Sequence, residues 1–240
     1  MTPLDRLRLE KAAADCGFEM QPRCLDDGLE MCSARFPETV IVRQTGPSSF
    51  LLVPSTPVLL GRSEDEGPVS VAGFNELYRI LRTTAAHART LPNRIADAFR
   101  AQTAKLPTAT EAERLVVQRV GQGMFRDALL DYWQGACCVT GLAVPHLLRA
   151  SHIKPWAKCD NDDERLDVFN GLLLAPHVDA LFDGGWISFA ENGDVVISDA
   201  LPPAARVQLG VSADWQVNGL RDSHLHYLAF HRENELRRSG

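Results

Sequence analysis

The sequence predicts an α+β protein built in two parts, and three observations carry that reading. Residues 4–17 place Leu4, Leu7 and the Ala12–Ala14 group at helical spacing, whereas residues 29–60 hold short β-like runs separated by turn signals. The segment LLRASHIKPWAKCDNDDERLDVFNGLLLAPHVDALFD (147–183) reads as a strand, a polar loop, a second strand and a helix opened by Pro176. A length of 240 residues suits one large domain or two small ones, and 45% hydrophobic against 23% charged residues is ordinary for a globular chain.

The elements follow in order. Gly17 stands where the first helix should stop. ETVIVRQ (38–44) and FLLVPS (50–55) read as strands around the turn TGPSS, with Pro54 and Pro57 ending the second at a sheet edge. GRSEDEGP (61–68) reads as a solvated loop. Residues 74–89 and 93–104 read as helices broken at Leu91-Pro92. KLPTAT (105–110) is the expected linker, which sets a small α+β domain over 1–105 and a second domain over 106–240. Thr110 and Glu113 form the pattern of a capping box, in which the Thr hydroxyl and the Glu carboxylate each take the other's amide hydrogen. The helix that follows, EAERLVVQRVGQGMFRDALLDYW, is expected to pause at Gly121 or Gly123. CCVTGL (137–142) reads as a short strand and turn, GWISFAENGDVVIS (185–198) as a hairpin, and 219–238 as a basic-ended helix or two.

Composition narrows the function classes. No apolar run reaches the ~18 residues of a membrane span, and MTPLDRLRLEKAAADCGF has no apolar signal core, so a cytoplasmic protein without a membrane partner is expected. Six cysteines form no CxxC pair, which reads as reduced thiols and as no structural zinc; Cys138 and Cys159 are expected to be buried thiols. The net charge of −6 argues mildly against unspecific nucleic-acid binding. It is uneven: residues 1–105 hold 13 Lys+Arg and 13 Asp+Glu, whereas 106–240 hold 12 and 18. Of the basic residues 21 are Arg and 4 are Lys; Arg suits bidentate phosphate contacts, and the competing reading, given the larger share of the excess, is codon usage in a GC-rich genome.

Residues 113–183 carry spaced blocks: Glu113, Arg119, Gly121, Gln122, Phe125 and Arg126; then Cys138, Thr140 and Gly141; then SHIKPW (151–156); then Asn170 to Asp183. In this order they resemble the HNH-type restriction endonucleases, and the likeness covers a little over half the chain when the hairpin and tail are included. The resemblance implies a ββα-metal nuclease domain with flanking helices and a β-hairpin. It further implies that His152, ending the first strand, is the general base, a task that suits a neutral imidazole, and that Asn170 holds loop 157–169 and the His152 ring in place.

The metal ligands are read as Asp179 first, His177 second and Asp183 third. Asp179 lies nine residues after Asn170, at the family's spacing, and shares a helical face with Asp183. Ser151 stands where many relatives have an acidic or histidine ligand. Mg²⁺, or else Mn²⁺, is the expected cation. Arg119, Gln122 and Arg126 are expected to contact DNA phosphates. Arg149 is expected to stabilise the phosphate, and is set on the strand face opposite Ser151. The reading is thus a divalent-metal DNA endonuclease, related to restriction or defence, whose residues 1–105 recognise the target. Cutting both strands needs two active sites, which a homodimer would supply. The alternatives are a non-catalytic DNA-binding module on a decayed HNH fold, and an RNase or toxin.

Overall fold

The computed structural model describes residues 1–60, 67–91 and 94–238. Residues 61–66 of the loop expected over 61–68, and Pro92 of the expected break, lie outside the described residues. The chain divides into two compact units, Met1–Thr90 and Leu91–Gly240.

The first unit joins two helices to one sheet. Helix α1 (Pro3–Cys16) starts at Thr2, whose hydroxyl accepts the Asp5 amide, and ends at Gly17 with φ +101°, a conformation glycine adopts without a Cβ penalty. Strands β1 (Arg23–Leu25), β2 (Gly28–Met31), β3 (Val40–Gly46), β4 (Ser49–Pro54) and β5 (Val69–Ala72) form an antiparallel sheet in sequential order. Alternation along β3 and β4 buries Val40, Val42, Phe50 and Leu52. Helix α2 (Phe74–Arg89) buries Leu77, Leu81, Ala85 and Ala88 and packs against α1. The sheet edge expected at Pro54 is corrected: β4 is interior. The proline is tolerated because β5 pairs only with Ser49–Leu52, leaving Pro54 beyond its end.

The second unit begins with α3 (Arg94–Thr103), whose Ile95, Ala96 and Phe99 join its core. Grouping by packing therefore places α3 here, although KLPTAT follows it. Helix α4 (Glu111–Tyr132) opens on the Thr110–Glu113 capping box, with bonds of 3.2 and 2.9 Å. It runs without the pause expected at its glycines. A Cβ at Gly121 would come within 2.8 Å of the Trp156 ring and 3.2 Å of Phe99, so this glycine serves close packing rather than a break. The expected strand in CCVTGL is also corrected, because those residues form a turn. Strand β6 (Arg149–His152), helix α5 (Asp162–Arg165), strand β7 (Gly171–Leu174) and helix α6 (Pro176–Asp183) follow. Then come the hairpin β8 (Ile187–Phe189) and β9 (Val195–Ile197), helix α7 (Pro203–Gln208) and helix α8 (Asp222–Asn234). Among the described residues no helix is long and apolar enough to cross a membrane, and all six cysteines are free, Cys138 and Cys159 buried.

Candidate functional site

The site is built on β6, β7 and α6. The two strands are antiparallel, with Ser151 opposite Leu172 and His152 opposite Gly171. All four β7 residues are buried, as a continuous apolar run requires. Pro176 occupies the first turn of α6, where its missing N–H costs nothing. Helix α4 backs the strands. A Cβ at Gly171 would lie 2.6 Å from Phe125 and 2.7 Å from Leu129, so only glycine permits this approach. The Trp133 indole also donates to the Gly171 carbonyl at 3.3 Å.

His152 ends β6 with its ring stacked on Phe125, at 3.9 Å between centroids, and edge-on to Trp156 at 5.5 Å. Its Nε2 lies 2.8 Å from the Arg165 carbonyl oxygen. A carbonyl only accepts, so Nε2 carries the hydrogen and Nδ1 keeps its lone pair. Burial lowers its pKa to about 4, against the Arg165 carbonyl and the charge of Asp183, which favour the protonated ring.

Asn170 is fully buried. Its Oδ1 accepts the Lys154 amide at 2.7 Å, and its Nδ2 donates to the carbonyls of Lys154 at 3.2 Å and Glu164 at 3.1 Å, and to Cys159 Sγ at 3.4 Å. One side chain thus ties the start of the polar loop to its far end. Lys154 adds an ion pair with Glu164 at 2.8 Å.

Asp179 faces a mixed field. Burial raises its pKa first; Ser151 then lowers it, Asp183 raises it and Arg149 lowers it. The opposite placement of Arg149 and Ser151 is corrected, because residues two apart on a strand share a face. Ser151 Oγ is buried and completes no hydrogen bond of ordinary geometry, although it lies close enough to favour the Asp179 carboxylate. His177 stands apart from this group in the exposed first turn of α6, with its ring 5.7 Å from Trp215. Among the described residues no three His, Cys, Asp or Glu side chains form a metal-sized cluster.

Arg126 donates to the carbonyls of Leu148 at 2.7 Å and Pro145 at 2.9 Å, and so holds the chain entering β6. Arg119 and Gln122 are exposed on α4. Sequence reasoning overlooked Cys137, whose sulfur accepts the amides of Thr140 and Ala175 and ties the turn to the start of α6. Its spacing to Thr140 and Gly141 was the available signal. Arg165 was also overlooked, because DDER reads as a solvated loop.

No match was found among curated proteins. Residues 137–190 match a family model described as HNH endonuclease, and the C-terminal part of the chain thus carries an HNH domain.

Proposed function

We propose that the protein is a divalent-metal-dependent DNA endonuclease with His152 as its general base. The observation that carries this reading is the bond from His152 Nε2 to the Arg165 carbonyl. It leaves Nδ1 as the proton acceptor on a ring held by Phe125 and Trp156. His152 takes the proton of the water that attacks phosphorus, and the P–O bond to the leaving oxygen then breaks. Asn170 keeps loop and base in register, and the Arg149 guanidinium offers donors to the phosphate oxygens. Arg119 and Gln122 position the DNA backbone, while Arg126, also expected there, acts through the loop it holds.

The donors fit a hard cation. Asp179 and Asp183 supply carboxylates, and Ser151 Oγ is a buried oxygen without a completed bond beside Asp179. Such a cation, Mg²⁺ or Mn²⁺, would offset negative charge on the phosphate and the leaving oxygen. His177, turned to Trp215, ranks below both carboxylates. The N-terminal unit reads the target, a role that fits restriction or defence, and cleavage of both strands uses a homodimer.

Plasmid nicking tests the reading. Wild type should nick with Mg²⁺ or Mn²⁺ and not with EDTA, and His152→Ala should lose the activity. The sparse ligand set, with Ser151 at the position before the base, favours one competing reading, a non-catalytic DNA-binding module. Binding without nicking under any divalent ion would establish that alternative, and preference for RNA over duplex DNA would point to an RNase.

A further inference from the structure

We propose that Arg165 is the positioning residue for the base: its carbonyl and its guanidinium together hold His152 in one tautomer and one orientation. The inference rests on His152 being the general base. Three contacts define the imidazole: the Phe125 stack, the Trp156 edge and the Arg165 carbonyl. Arg165 controls two of them.

The carbonyl is its own. It ends α5, a helix of four residues, where terminal carbonyls lack an intrahelical partner and remain open to an outside donor. So short a helix does not fix a carbonyl by itself. The side chain supplies the missing constraint. Nη1 donates to Asp162 Oδ1 at 2.9 Å, Nη2 to the Cys159 carbonyl at 2.9 Å and Nε to the Trp156 carbonyl at 3.4 Å. The guanidinium carbon lies 5.9 Å from the Trp156 ring centre. One planar fork thus clamps the turn carrying Trp156 to the helix whose end receives His152. The side chain is 26% exposed, so most of the fork works away from competing water. A lysine would keep the charge but not three donors in one rigid plane.

The test uses the full chain with ¹⁵N-labelled histidine. Wild type should show His152 as a single Nε2–H tautomer. Arg165→Lys should show averaging between tautomers, with a kcat for Mg²⁺-dependent nicking at least roughly ten-fold lower and an unchanged KM. If Arg165→Lys does not fold, Asp162→Ala removes one partner of the fork at a 41% exposed side chain. It should loosen the tautomer in the same direction and by less. Retention of the single Nε2–H tautomer and the wild-type kcat in a folded variant would overturn the proposal. The imidazole signal is read without turnover. A wild type that binds DNA but never cuts it would sink the endonuclease reading, while the tautomer would still decide whether Arg165 positions the ring.

Discussion

Replacing Asn170 by aspartate tests the loop clamp most sharply, because the exchange keeps shape and reverses donor character at one atom. Oδ1 still accepts the Lys154 amide. The atom that donates to the carbonyls of Lys154 and Glu164 becomes an oxygen facing two oxygens. Only the protonated carboxyl can still donate there, so its folded-state pKa lies above the ~3.9 of an unfolded aspartate. The sign follows: the pH-dependent part of the penalty is absent below that value and grows as pH rises, by about 1.4 kcal/mol per pH unit, until the folded pKa is passed. Asn170→Ala instead takes the side-chain partner from the Lys154 amide and the Glu164 carbonyl, at about 1–3 kcal/mol each and not additively, while the Lys154 carbonyl keeps the Cys159 thiol at 3.5 Å. Urea denaturation at pH 5 and pH 8 separates the two. Asn170→Asp should lose at least about 1.4 kcal/mol more at pH 8 than at pH 5, relative to wild type, whereas the loss in Asn170→Ala should not depend on pH. An aspartate variant whose loss is equal at both pH values would refute the donor assignment of the amide.

Other expectations follow from the same geometry. His152→Ala should cut nicking by roughly 10²–10⁴-fold; because the ring is stacked and bonded, it should also lower the melting temperature measured by calorimetry. His152 and His231 both have pKa values lowered by burial to about 4. Their neutral forms therefore favour the fold above the unfolded value near 6.5, and this stability should fall away in denaturation curves as pH drops from about 6.5 through 4. Gly171→Ala drives a methyl into Phe125 and Leu129 and should cost about 1–3 kcal/mol, seen as a lower urea midpoint. Asp179→Ala should weaken Mn²⁺ binding in calorimetry more than His177→Ala or Asp183→Ala does; an unaltered affinity would move the ligand set elsewhere.

What could be read from the chain depended on how local its cause was. The capping box at Thr110 and Glu113, the stop at Gly17 and the helix start at Pro176 are each set within a few residues, and the structure has them where the sequence placed them. Strands β1, β2 and β5 were not read and owe their conformation to neighbours in the sheet, whereas β8 and β9, no longer than these, were marked by the Asn-Gly turn between alternating apolar runs. The glycines show the same limit. Gly121 looks like a break in one dimension and Gly171 carries no signal of its own, yet each admits a ring or a leucine from a distant part of the second unit. At the site, the resemblance of the spaced blocks to HNH endonucleases singled out His152, Asn170 and Asp179. It gave no hint that Arg126 would serve two carbonyls, because a guanidinium that grips backbone and one that grips phosphate are the same residue in a sequence. The distinction lies in the carbonyls. Leu148 leaves its carbonyl without a strand partner and Pro145 offers a second lone pair beside the Leu148 amide, and a five-donor fork nearby takes both before any ligand arrives.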